Sequence, residues 1–410
     1  MRTRYLIITL LVGCLLVACS QDESNISVGN SLSTSHRISM EEAKKNALDF
    51  ASKVNSGTRS TKSLEIENIQ AIALTGALTR SISDSTNLDT LLYIVNFSDS
   101  AGFVIAGTDD RENSIYAYVE DGNYSWEETD SMNAGFKSFI YSLLELKSLY
   151  YNNAPMDQIG EGGGGGTGSH VPDRFNVMRP LLVTKWGQDS PYNRFTPNNY
   201  PTGCVATAVS QICSFLEVPT SVRWSSNDGS GAATLNWEQI KAECSSYYGS
   251  LFNEASKNKI ANLMRYWGVA FQADYGEGGT GIDAEDAIDF LQDVSNINVS
   301  DLDDYDINSV IADLRQGNKI IFMGGYARYY HVGFVFRKYV DGHAWVVDGY
   351  IDEVKHNKQS FYLHCNWGYN GVSNGYFLSN VLDTSQRVYN DNAQTRTNYQ
   401  YCLETATFTK

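Results

Sequence analysis

The chain predicts an α+β fold in which a helical half precedes an antiparallel β half, with a smaller α+β unit ahead of both. Three observations carry this. Helical spacing of apolar residues dominates between positions 204 and 316, and strand-like runs dominate from Lys319 onward. Five consecutive glycines, Gly162 to Gly166, separate this region from an earlier one with its own helices and strands. Cys204 and His343, each in a context suited to nucleophile or base chemistry, fall one in each half.

The N-terminus, residues 1–18, reads as an export signal. Arg2 and Arg4 precede an apolar run from Tyr5 to Ala18, too short to span a bilayer comfortably as a helix. The run closes on Leu16-Val17-Ala18-Cys19, which resembles the lipobox of bacterial lipoproteins. That resemblance implies cleavage before Cys19, lipidation of Cys19, and a cell-envelope location with the membrane touched only through the lipid. An ordinary secretory signal is the alternative. Residues 19–36 are polar and form a tether.

From Ser39 a helix begins, with Met40, Ala43, Ala47, Phe50 and Ala51 at helical spacing and Glu41 and Glu42 in its first turn. The runs 91–97, 102–107 and 114–119 follow as strands, then a helix over 136–149. This unit spans 37–148, and the glycine-rich region 149–174 links it to the rest. No Gly-Lys-Ser/Thr follows the glycines, which argues against a phosphate loop.

The second piece, 175–410, carries a helix after Cys204 with Val205, Ala208, Val209, Ile212 and Leu216 on one face, ended by Pro219. Helices over 237–248, 255–267, 284–293 and 308–316 come next. Strands over 320–324, 332–339, 343–350, 360–365 and 375–378 close the region. Asp341-Gly342 reads as the turn of a hairpin that places His343 at a strand start, and 327–331 reads as a loop. A cleft between the halves sets Cys204 against His343.

Composition narrows the function. Lys plus Arg number 31 against 47 Asp plus Glu, a net charge of −16, which argues against nucleic acid as the main partner. The 26 tyrosines and 34 glycines suit a β-rich exported protein. Of seven cysteines, Cys14 and Cys19 belong to the export segment, and the odd remainder calls for a thiol outside any pair. No CxxC or Cys/His ligand spacing appears, so neither a metal nor another cofactor is expected.

A thiol at a helix N-terminus meets unsatisfied N–H groups and the positive end of a dipole, which favour thiolate. Gly203 keeps a Cβ out of the approach to Cys204. Downstream of His343 lies His364-Cys365-Asn366-Trp367-Gly368-Tyr369. Read as a strand, it puts Trp367 and Tyr369 on one face as an aromatic wall for the imidazole. Gln188, in the loop before the nucleophile, offers a side-chain amide to an oxyanion beside the N–H of Cys204.

Trp186-Gly187-Gln188, Pro191-Tyr192-Asn193, Thr202-Gly203-Cys204-Val205-Ala206-Thr207-Ala208, Gly342-His343-Ala344 and Asn366-Trp367-Gly368 resemble, in that order, the streptopain family of cysteine peptidases. The resemblance covers about 175 to 385 and implies a two-lobed, papain-like fold made as a zymogen. It implies Cys204 as nucleophile, His343 as base, Gln188 in the oxyanion hole and Trp367 supporting the histidine. Gly203, Gly279, Thr280 and Tyr326 fall on segments that look like the family's substrate cleft. One departure is Trp367-Gly368-Tyr369, where members often have a second Trp. Residues 37–148 resemble the family's inhibitory pro-domain.

The expected activity is therefore endopeptidase action on proteins or peptides, with the chain's own pro-domain as inhibitor. Arg174 and Lys147 are candidate maturation sites. A Cys/His acyltransferase or amidase, or a catalytically silent adhesin on a protease scaffold, are the alternatives.

Overall fold

The structure, a computed structural model, describes residues 36–56, 64–73, 90–153, 171–294, 296–332, 336–382 and 401–410. The export signal, Cys19, the tether up to residue 35 and the five-glycine run lie outside the described residues. Arg37 to Lys410 form one compact unit.

The first region holds helix α1 (Met40–Asn55), strands β1 (Ile66–Ala73), β2 (Thr90–Phe97), β3 (Phe103–Gly107) and β4 (Ile115–Val119), and helix α2 (Ala134–Asn153). Ser39 caps α1, its hydroxyl accepting the N–H of Glu42 at 3.2 Å. Ala43, Ala47, Phe50, Ala51 and Val54 then bury one face of the helix against the sheet. Every residue of β2, β3 and β4 is buried, so both faces of this small sheet are covered.

The second region opens with β5 (Arg174–Met178). Then come α3 (Cys204–Leu216), the hairpin β6 (Ser221–Ser226) and β7 (Gly229–Thr234), α4 (Trp237–Ser246) and α5 (Glu254–Ala270). The hairpin β8 (Asp274–Gly276) and β9 (Gly279–Gly281), α6 (Ala284–Gln292), β10 (Asn298–Val299), β11 (Asp303–Asp304) and α7 (Ile307–Leu314) follow. The β half comprises β12 (Lys319–Val332), β13 (Phe336–Lys355), β14 (Lys358–Asn366), β15 (Gly375–Leu378), a single turn α8 (Ser379–Leu382) and β16 (Tyr401–Thr409).

All but the two small hairpins join one sheet. Its path runs β1-β2-β3-β4-β15-β14-β13-β12-β16-β10, with β5 on β13 and β11 on β16. The junction between the regions is the antiparallel ladder of β4 and β15, pairing Val119 with Gly375, Tyr118 with Tyr376 and Ala117 with Phe377. One core lies on the side of the first region, where Phe136, Phe139 and Leu143 of α2 meet Trp345, Trp367 and Phe377. A second core joins Val209 and Ile212 of α3, and Leu263 and Trp267 of α5, to Phe322, Val346 and Phe408 of the sheet. The structure thus has the expected α+β arrangement of a helical lobe and a β lobe, with the sheet of the first region stitched to the second lobe.

One sequence reading changes. Asp341-Gly342 is not a turn. It sits inside β13, with Gly342 opposite Tyr326 and His343 opposite Gly325, so β12 continues through 327–331 where a loop was expected. The glycine serves close packing instead: a Cβ on Gly342 would lie 2.9 Å from the Tyr326 ring. The candidate maturation sites sit in regular structure, Lys147 buried in α2 and Arg174 exposed at the start of β5. Lys147 is ion-paired with Glu112, and Arg174 is laddered to Val354 and paired with Asp352 at 3.1 Å.

Candidate active site

Cys204 opens α3 directly behind Gly203, whose φ of +91° is left-handed and suits glycine. The residue before that glycine is pinned on two sides. The Thr202 N–H donates to the Gln188 carbonyl at 2.9 Å, and the Thr202 and Thr207 hydroxyls meet at 2.8 Å. The thiol is half-buried, with the main-chain N–H groups of Ala344, Val205 and Cys204 itself near its sulfur. This sets the nucleophile beside Ala344, the residue that follows His343. Burial nevertheless pushes the thiol pKa up, outweighing those donors. The thiolate expected from the helix N-terminus is therefore not the favoured species in this form of the chain.

His343 is buried in β13, and its Nε2 lies 3.0 Å from the main-chain carbonyl of Trp367. A carbonyl only accepts, so Nε2 carries the proton and Nδ1 keeps its lone pair. Burial pushes the imidazole pKa down to about 4, so it stands neutral, the form able to take a proton from a thiol.

Trp367 thus orients the histidine through its backbone. The aromatic wall is another matter. The rings against the imidazole are Trp345, stacked at 6.0 Å and 20°, and Tyr369, tilted at 5.3 Å. The Trp367 ring packs one layer further out, 5.1 Å from both Trp345 and Phe377, with its indole N–H donating to Ser373 at 3.1 Å. The strand reading of 366–369 fails because β14 stops at Asn366. Gly368 (φ +77°), Asn370 (φ 55°) and Gly371 (φ +83°) then turn the chain. Trp345 was missed, although it lies two residues from His343 on one strand and so shares its face.

Gln188 is partly buried. It lies beside Tyr369, as does the main chain of Ala134 at the start of α2. The Trp186–Gln188 loop rests on the 367–371 turn: the Asn370 N–H donates to Trp186 at 3.2 Å, and Gly187 packs on the Asn370 amide. Thr280 of β9 donates to the Pro201 carbonyl at 2.5 Å, and its methyl lies 3.3 Å from where a Gly203 Cβ would stand. Gly279 is exposed at the tip of that hairpin. Tyr326 packs over Gly342, on the His343 side. The structure therefore gathers Cys204, Gly203, Gln188 and Thr280 on one side and His343, Trp367 and Tyr326 on the other.

The N-terminal region reaches this site in two places. At the start of α2, Asn133 donates its amide to the Val372 carbonyl at 2.9 Å, and Gly135 lies flat on the Trp367 indole. Beyond β4, Asp121 pairs with Lys185 at 3.0 Å, and Glu120 lies 3.8 Å from Nε2 of His364. On its other side, Nδ1 of His364 meets Asp348 at 2.6 Å, and Asp348 also accepts the Leu182 N–H at 3.0 Å. Asp348 and Glu120 hold the His364 pKa up at about 9 in spite of burial. Among the described residues no group of three or more His, Cys, Asp or Glu is placed to hold a metal ion.

Comparison with known proteins agrees with this geometry. Residues 186–377 match the Peptidase C10 family, and residues 35–145 match the Spi protease inhibitor. Streptopain of Streptococcus pyogenes serotype M28 is 26% identical over 388 residues, covering 84% of this chain and 85% of its own. The thiol protease/hemagglutinin PrtT of Porphyromonas gingivalis is 23% identical over 334 residues, 72% of this chain and 34% of that protein. Prointerpain A of Prevotella intermedia shares the fold, with a TM-score of 0.52 and 21% identity over 83% of this chain and 98% of that one.

Proposed function

We propose that this chain is a cysteine endopeptidase of the Peptidase C10 type with a Spi-type inhibitor ahead of it, as the matches over residues 186–377 and 35–145 support, with the following division of labour. Cys204 attacks the scissile carbonyl and passes its proton to Nδ1 of His343. The Cys204 N–H and the Gln188 amide receive the oxyanion. His343 protonates the leaving amine, then deprotonates the water that hydrolyses the thioester. The observation that carries this reading is the Nε2 contact of His343 with the Trp367 carbonyl. It leaves Nδ1 as the basic nitrogen on a residue whose neighbour, Ala344, lies near the sulfur.

The pro-domain holds the site latent by occupying its accessories rather than by removing its parts. The main chain of Ala134 lies beside Tyr369, and Tyr369 beside the Gln188 amide that the oxyanion needs. Departure of α2 removes Ala134 from Tyr369 and Gly135 from Trp367 together. Substrate enters between Thr280 and Gly203 on one side and Tyr326 on the other. Export and lipidation at Cys19 complete the proposal: cutting between 154 and 170 leaves the lipid on the pro-domain and frees the peptidase.

The test is intact mass over time for residues 20–410, beside Cys204→Ala. Shortening of the parent chain alone, to a C-terminal piece that digests casein, is expected. Equal shortening of both chains removes Cys204 from the maturation step. Casein cleavage by a processed Cys204→Ala chain sinks the nucleophile assignment. Radiolabelled palmitate incorporation that survives Cys19→Ala would dismiss the anchor.

A further inference from the structure

Three catalytic segments meet at one side chain outside the motifs already discussed. Gln211 lies on α3, seven residues after Cys204, and is fully buried. Its Oε1 accepts the Trp186 N–H at 3.0 Å and the Asn366 amide at 3.2 Å, while its Nε2 donates to Asn366 Oδ1 at 3.2 Å. Asn366 in turn donates to the Thr184 carbonyl at 2.9 Å and accepts the Gly368 N–H at 3.3 Å. The orientation of both amides is thereby fixed. Only an oxygen can face Trp186 N–H, and only an NH2 can face the Thr184 carbonyl. Reversing either would leave buried like groups facing each other.

The bridge ends where the chemistry is. Trp186 begins the loop that carries Gln188, Asn366 precedes the carbonyl that orients His343, and α3 begins at Cys204. We propose that Gln211 is a positioning residue, fixing the Gln188 loop and the Trp367 carbonyl in register with the nucleophile helix. It touches no substrate and acts through Trp186 and Asn366. The proposal rests on the peptidase reading above.

The test is steady-state peptide hydrolysis by the full chain after processing, comparing wild type with Gln211→Met and Gln211→Glu. Met keeps volume but bridges nothing; kcat should fall about 100-fold, the effect of a displacement near 1 Å, with KM within about threefold. Glu is the sharper probe. Its carboxyl reproduces the bridge only when protonated, accepting from Trp186 and donating O–H to Asn366 Oδ1. Burial raises its pKa. Its kcat relative to wild type should therefore be about tenfold higher at pH 5 than at pH 8. A side chain that merely fills space would give one ratio at both pH values, and that result overturns the proposal, as does wild-type kcat in Gln211→Met. Should Gln211→Met not fold, the isosteric Glu variant decides alone. Processed wild type that fails to cleave, or Cys204→Ala that cleaves equally, breaks the peptidase reading instead, without reference to Gln211.

Discussion

Replacing Glu120 by Gln should loosen the pro-domain without touching the peptidase. At 3.8 Å from Nε2 of His364, a full charge pair in an effective dielectric near 20 is worth about 4 kcal/mol. Glu120 is 32% exposed on its side chain, so water and salt reduce that to about 1–2 kcal/mol. The loss corresponds to a five- to thirty-fold faster release of the pro-domain. The pH sign follows from both partners. The His364 pKa is raised to about 9 from its ordinary 6.5, so its contribution is complete below 6.5 and lost as pH rises through 9. Glu120 is lowered from 4.5, so its contribution is complete above 4.5 and lost on further acidification. The contact is thus strongest between pH 4.5 and 6.5, and the variant should differ most there. The assay is release of the pro-domain from the Cys204→Ala chain after an external protease nicks residues 154–170, followed by size exclusion at pH 6 and pH 10. Identical release rates at pH 6, or a difference that grows at pH 10, would refute the charge-pair reasoning.

Gly135→Ala places a Cβ 2.1 Å from the Trp367 ring. Overpacking by about 1–3 kcal/mol should make the full chain mature faster, visible on a gel time course; unchanged maturation would show that α2 docks elsewhere. In the unprocessed chain, the raised Cys204 pKa and the neutral His343 predict iodoacetamide labelling that keeps rising with pH beyond 8. A plateau below pH 7 would mean that the thiolate–imidazolium pair already exists in the latent form.

Local chemistry was legible in the sequence, and long-range pairing was not. The helix at Cys204 announces itself through apolar spacing, a preceding glycine and a following proline, and the structure begins it at that residue. Trp367 could be singled out, yet its contribution through a backbone carbonyl leaves no side-chain signature. The Asp341-Gly342 dipeptide is a strong turn signal that tertiary packing of Tyr326 overrides. β16 pairs with Lys319 to Tyr326 from beyond position 400, a separation that periodicity cannot span. The union of two sheets was equally hidden, because β4 and β15 are each short apolar runs whose partners nothing local specifies.

That union changes what maturation leaves behind. While β4 is in place, the main-chain groups of Gly375 to Phe377 lie inside a sheet; once it departs, they form a border able to accept a new strand. The severed segment still carries the complementary strand and the residues that cover Trp367. It should therefore still bind the enzyme it came from, so that added fragment would suppress the activity of the processed peptidase. A soluble enzyme and a tethered fragment would separate on their own.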